Sequence, residues 1–136
     1  MKFLFDASSM VHVIKNYEEE KALRLLSDSC VLDLTKYEVG NALWKEHVLH
    51  KAIGGKEFTE FLDLLRTILL RTKALSVEAH DLSKVAEVAE KERITFYDAS
   101  YVTVAKVRNL TLVTEDTRLA KAAFDHIKTA SGKDLL

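Results

Sequence analysis

The 136-residue chain contains no proline and no glutamine. Lysine and glutamate are abundant instead, a composition that leans toward thermostable proteins. There is one cysteine, Cys30, so an intrachain disulfide is excluded. It opens the apolar run Cys30–Val31–Leu32, the setting of a buried structural thiol rather than of a nucleophile. No excess of basic charge is present: 20 Lys and Arg face 21 Asp and Glu, for a net charge of −1. Bulk charge therefore lends nothing to nucleic-acid binding. An acidic metal site can still coexist with a basic rim, because bound cations do not enter that count. No apolar stretch is long enough to span a membrane, and the apolar part of Met1–Asp6 is too short for a signal peptide. A cytoplasmic protein is the expectation. No linker, repeat or low-complexity segment interrupts the chain, which reads as one domain over residues 1–136.

What is present is an alternation. Apolar residues make up 48% and charged residues 30%, enough for one core and a solvated surface. Phe3–Leu4–Phe5, closed by Asp6, reads as a buried strand. Ser8 or Ser9 then offers a cap for a helix toward Asn16, and a second helix follows over about 18–27. Val31–Leu34 is the expected second strand. Thr35–Lys36–Tyr37–Glu38 has the form of a capping box, opening a helix that ends before Gly54–Gly55. A helix over about 56–71 carries a stripe from Phe58 to Leu70 wider than one core-facing side needs, so it serves either the core or a second subunit. A third strand over 74–77 and a helix over 78–92 follow. Thr95–Asp98 again resembles a capping box and opens a helix through Val107. Leu110–Val113 is the fourth strand, Thr114–Asp116 leads into a helix to Phe124, and 127–130 forms an edge strand. Short apolar strands alternating with longer helices imply a three-layer α/β/α fold with a mostly parallel sheet of four to five strands.

Four acids stand out by position. Asp6 ends the first strand, Glu38 follows the second, Asp116 follows the fourth, and Asp98 lies at a helix start. In a doubly wound sheet, functional residues gather at the carboxyl ends of the strands. Each acid alone reads equally well as a helix cap. Together they would repel, one pair at about 4 Å costing about 4 kcal/mol at an effective dielectric of about 20. Such a cluster takes up protons or binds cations. Mg²⁺ and Mn²⁺ favour oxygen ligands of this kind, and one or two such ions serve phosphodiester hydrolysis.

The segments Phe5–Asp6–Ala7–Ser8, Glu38–Val39–Gly40–Asn41–Ala42–Leu43, Tyr97–Asp98–Ala99–Ser100–Tyr101 and Val113–Thr114–Glu115–Asp116–Thr117–Arg118–Leu119 occur in this order. Order, spacing and context resemble the PIN-domain nucleases, especially the VapC-type toxins of prokaryotic toxin–antitoxin pairs, over nearly the whole chain. The resemblance implies a parallel sheet flanked by helices, and that Asp6, Glu38, Asp98 and Asp116 are the catalytic, metal-binding quartet. It places Ser8 and Thr114 at supporting hydroxyl positions and Asn41 at the polar position one turn after the second acid, on the face of Glu38. It further implies RNA cleavage with Mg²⁺ or Mn²⁺, neutralisation by a small antitoxin protein, and a homodimer, which would give the Phe58–Leu70 stripe a use.

Other polar groups carry less. Glu115 reads as a solvated first-turn residue. Arg118, Lys121 and Lys45 are solvated helix surface unless they reach phosphates. His47 and His50 lie one turn apart without a third ligand, which makes them exposed helix residues rather than a zinc site. Tyr97, Tyr101 and Trp44 fit core packing better than base stacking. Three rivals stay open: a phosphatase or phospho-acceptor domain, a non-catalytic binding module, and a DNA nuclease. The phosphatase signature of two aspartates two residues apart fails, because Ser8 follows Asp6–Ala7.

Overall fold

A computed structural model describes residues 2–135. Five parallel strands form one sheet: β1 (Phe3–Phe5), β2 (Ser29–Leu32), β3 (Lys73–Leu75), β4 (Thr111–Val113) and β5 (Thr129–Ala130), in the order β3–β2–β1–β4–β5. The chain runs outward from β1 to β3 and then returns to β4 on the other side of β1. The order therefore reverses between β1 and β4, and a crevice opens at their carboxyl ends, where such sheets hold their functional groups.

The helices are α1 (Ala7–Asn16), α2 (Glu19–Leu26), α3 (Thr35–Trp44), α4 (Gly55–Leu69), α5 (Leu82–Glu92), α6 (Phe96–Arg108) and α7 (Thr117–Ala123). Strand side chains alternate between faces. Leu4, Cys30, Leu32 and Leu112 point into one core with Tyr101, Val102, Ala105, Leu119 and Ala123 from α6 and α7. Phe5, Val31 and Val113 point into the other, against Met10, Val13, Ile14, Val39, Leu43, Leu65 and Ile68 from α1, α3 and α4. These two cores make the expected three layers, and the central strands are apolar throughout because both their faces are covered.

Local readings shift in instructive places. The second strand begins at Ser29 and ends at Leu32, two residues before the expected span. The cap of α1 is Asp6, not Ser8 or Ser9: its carboxylate accepts from the Ser9 N–H. Thr35 forms no capping box. Leu34 is the N-cap of α3 and makes no side-chain cap, while the Thr35 hydroxyl turns inward to Leu32 and Tyr101. Thr95 does cap α6, accepting from the Asp98 N–H at 3.0 Å. After Trp44 the helix widens into a π turn over Lys45–Leu49 and stops there. His47 holds that bend: its Nδ1 lies 3.0 Å from the Ile53 carbonyl, and its ring stacks on Phe58 with centroids 4.8 Å apart. His47 is half-buried rather than exposed, whereas His50 is exposed.

The α4 stripe serves the core. Leu65 and Ile68 are buried, and Phe58, Phe61, Leu62, Leu64 and Leu69 pack against the second core, leaving Leu70 exposed. Cys30 is fully buried, its Sγ 3.3 Å from the Phe3 carbonyl, and burial pushes its thiol up to about 11. That is an inert thiol. No helix among the described residues is long and apolar enough to cross a membrane.

Candidate active site

Asp6 leaves β1 directly into the crevice and is 4% exposed. Its Oδ1 accepts from Ser8 Oγ at 2.7 Å and from the Ser9 N–H at 2.9 Å. Its Oδ2 accepts from Thr114 Oγ1, at the end of β4. A carboxylate offers about four acceptor positions, so one remains on Oδ2. Both hydroxyls have thereby committed their hydrogens to Asp6. Their oxygens in turn accept from the backbone of the next loop, Ser8 from the Glu115 N–H and Thr114 from the Asp116 N–H, each at 3.0 Å. The 3.1 Å approach between Ser8 and Thr114 is thus a contact of two acceptors rather than a further hydrogen bond. This web ties the β1 and β4 exits into one unit and fixes the Asp6 rotamer.

The other three acids surround this unit. Glu38, in the first turn of α3, is half-buried and accepts from the Tyr101 hydroxyl at 2.7 Å through Oε1. Asp98, in the first turn of α6, is half-buried. Asp116 is exposed and caps α7, its Oδ1 accepting from the N–H groups of Arg118 and Leu119 at 2.9 and 3.2 Å. Its Oδ2 takes no part in that cap.

Electrostatics links the four acids. Burial raises the Asp6 carboxyl, against the pull of Thr114, Ser9 and Ser8. Burial also raises Glu38, opposed by the Tyr101 hydrogen bond and reinforced by the charges of Asp98 and Asp6. Asp98 is raised by burial first, then by the charges of Asp116 and Asp6, with Arg118 opposing. Three carboxyls are displaced in one direction, and two of them, Glu38 and Asp98, partly by neighbouring acids, which marks a cluster that is uncomfortable when fully ionised. Among the described residues no three acidic, imidazole or thiolate groups stand close enough to enclose one ion as they are placed. The caps and hydrogen bonds above hold the acids as neighbours. Each of the acids keeps free oxygen positions, and an all-oxygen donor set with a hydroxyl shell fits a hard divalent cation.

The supporting positions divide. Ser8 and Thr114 meet Asp6 directly, whereas exposed Asn41 makes no hydrogen bond to the acids among the described residues. Glu115 is not a solvated first-turn residue: it is half-buried, and its Oε1 accepts from the Gly132 N–H at 2.6 Å, strapping the C-terminal turn to the β4 exit. Lys45, Arg118 and Lys121 are exposed. Tyr97 is 63% exposed and Trp44 42%, so neither belongs to the core, whereas Tyr101 does at 1%. Tyr37, next to Glu38 in the chain, and Phe96, two residues before Asp98, are exposed as well. Two clefts of about 540 and 680 Å³, lined by residues such as Lys84, Lys91, Lys106 and Lys128, contain none of the four acids. Sequence reasoning missed the contribution of Tyr101 and Thr35. Their signal is helical spacing: Tyr101 lies three residues after Asp98 and Thr35 three before Glu38.

Comparison with known proteins gives a consistent picture. The sequence profile of the PIN domain matches residues 3–125. The exonuclease VapC9 of Pyrobaculum aerophilum is 36% identical over 128 residues, covering 92% of this chain and 90% of that protein. The ribonuclease VapC3 of the same organism is 32% identical over 127 residues, covering 89% and 94%. The crystal structure of PAE2754 from Pyrobaculum aerophilum superposes with a TM-score of 0.81 at 32% identity, over 99% of this chain and 93% of that one. At 16% identity, VapBC2 from Rickettsia felis, solved on a fragment of its promoter DNA, shares the fold with a TM-score of 0.67 over 96% and 98% of the two chains.

Proposed function

The chain belongs to the PIN-domain family, and we propose that it is a divalent-metal-dependent endoribonuclease, the toxin of a toxin–antitoxin pair. The observation that carries this reading is the gathering of the acids around the β1–β4 crevice, where the charges of Asp98 and Asp6 help to raise Glu38 and those of Asp116 and Asp6 help to raise Asp98. Capping accounts for Asp6 and Asp116, but Glu38 and Asp98 are not the N-caps of their helices. A cation site accounts for all four.

Asp6, Glu38, Asp98 and Asp116 would hold one or two Mg²⁺ or Mn²⁺ ions. Bound there, such ions lower the pKa of water and neutralise charge on a phosphate. The chain itself supplies position. Ser8, Ser9 and Thr114 hold Asp6 in one rotamer, and Tyr101 holds one oxygen of Glu38. The reaction is hydrolysis: water adds to phosphorus, the bond to the 3′ oxygen breaks, and a 5′-phosphate and a 3′-hydroxyl result. No side chain becomes covalently attached. Exposed Arg118, near enough to Asp98 to stabilise its charge, is placed for a substrate phosphate.

The names of the relatives support a nuclease, one as ribonuclease and one as exonuclease. The likeness to VapBC2, solved on promoter DNA, agrees with an antitoxin partner for this chain. A homodimer belongs to the same reading. Its test is the solution mass, about twice the 15.4 kDa of one chain.

The decisive experiment incubates the protein with matched RNA and DNA oligonucleotides and with a circularised RNA, in Mg²⁺, Mn²⁺ or EDTA. Cleavage of linear and circular RNA in either metal, lost in EDTA and in Asp6→Asn and Asp98→Asn, is the expected result. Activity that survives chelation or both substitutions contradicts the mechanism. Preference for DNA, or inability to cut the circle, overturns the substrate or the mode of attack.

A further inference from the structure

Tyr101 is the largest fully buried side chain, and its phenol lies beneath Glu38. The hydroxyl is 2.7 Å from Glu38 Oε1 and 2.7 Å from Thr35 Oγ1. Thr35 is itself fully buried, and its oxygen accepts from the Leu32 N–H at 3.0 Å. The proton positions follow from the chemistry. An ionised Glu38 can only accept, so the Tyr101 O–H donates to it. The Tyr101 oxygen is then free to accept, and the Thr35 hydroxyl donates there. Each hydrogen of the chain Leu32–Thr35–Tyr101–Glu38 thus points the same way, from the end of β2 across α3 and α6 to the carboxylate.

Packing does not require this hydroxyl. A phenylalanine ring would fill the same space without a buried polar group that must find partners. The hydroxyl's other neighbour, Glu38, is half-buried and has three rotatable bonds, whose freedom must be lost when the carboxylate engages an ion. Anchoring Oε1 beforehand removes part of that cost and leaves Oε2 to engage.

We propose that Tyr101 and Thr35 are positioning residues that fix the Glu38 carboxylate for divalent-cation binding. This rests on the reading of the four acids as a cation site. Tyr101 itself touches neither ion nor substrate.

The test is Mn²⁺ titration by calorimetry, on the full chain, alongside melting curves. Tyr101→Phe keeps the ring and removes the donor, and is expected to weaken Mn²⁺ binding about tenfold with the fold retained. Val104→Ala, in the same helix and core, controls for loosening: it should lower the melting temperature and leave Mn²⁺ affinity unchanged. Thr35→Ser keeps the hydroxyl and should keep the affinity. Thr35→Val breaks the chain one link earlier and should weaken binding in the same direction, which keeps the idea testable should Tyr101→Phe fail to fold. A folded Tyr101→Phe, or failing that Thr35→Val, that binds Mn²⁺ as the unmodified protein does overturns this inference alone. An unmodified protein that binds no Mn²⁺ overturns the cation site and this inference with it.

Discussion

The Thr114 hydroxyl donates to Oδ2 of Asp6 across 108 residues of sequence, and its oxygen accepts from the Asp116 N–H. One small side chain therefore orients the most buried of the four acids and shapes the loop that carries the most exposed one. Thr114→Val keeps the volume and breaks both links. The unpaired Asp6 oxygen and Asp116 N–H should cost about 1–3 kcal/mol of stability. RNA cleavage should fall at least about tenfold, as when an outer-shell partner of a metal ligand is lost. Thr114→Ser should restore both, because the hydroxyl is the working group. Urea denaturation and initial cleavage rates measure the two effects separately.

Asp116 has two roles that substitution can separate. It caps α7 through Oδ1, and we propose that its other oxygen serves the cation. Asn is as good a cap as Asp, so Asp116→Asn should leave stability within about 0.5 kcal/mol while cleavage collapses. Asp116→Ala should lose the cap as well, at about 1 kcal/mol. Equal cleavage by the unmodified protein and Asp116→Asn would leave Asp116 as a cap only.

The raised carboxyls fix the sign of a pH effect. Asp6, Glu38 and Asp98 all hold protons more tightly folded than unfolded, chiefly through burial. Between the ordinary carboxylate range, near about 4, and their raised values, the folded state binds more protons, so stability falls as pH rises through that window. In EDTA, the melting temperature of the unmodified protein should drop relative to Asp98→Asn as pH rises from about 4 through the raised Asp98 value. Adding Mn²⁺ at neutral pH should reverse the difference. A gap between the two proteins that stays constant with pH contradicts the electrostatic coupling.

Arg93 closes α5 in the left-handed region, with φ 54°, where a side chain is strained and glycine is not. Its N–H donates to the Ala89 carbonyl, while its exposed side chain makes no hydrogen bond or ion pair among the described residues. Arg93→Gly should raise stability by about 0.5–1 kcal/mol, the left-handed relief less the added freedom of the unfolded chain. Chemical denaturation checks this, and RNA cleavage should be unaltered.

The sequence makes β1 and β4 legible because each is an apolar run flanked by its own polar punctuation, and Asp6 stands out as the residue that ends the first. The four acids are readable as strand exits and helix starts, but their convergence depends on the reversal of strand order between β1 and β4, which no local pattern encodes. Thr35 shows the limit most plainly. Thr-x-x-Glu reads as a capping box, yet the hydroxyl finds a buried tyrosine from a helix 66 residues away and leaves the cap empty. Tyr97 and Tyr101 look alike in sequence and share a face of α6 one turn apart, yet Tyr97, in the first turn, is in solvent and Tyr101 is in the core. Glu115 reads as solvated because its partner, the Gly132 N–H, belongs to a turn with no sequence signature.

The central claim is that Asp6, Glu38, Asp98 and Asp116 form a divalent-cation site. Its most direct test is Mn²⁺ titration into the unmodified protein and into Asp98→Asn, with binding heat as the readout and no substrate present. Saturable binding of one or two ions, abolished or weakened at least about tenfold by the single substitution, is the expected result. Absence of binding to the unmodified protein, or equal binding to both, would contradict the account.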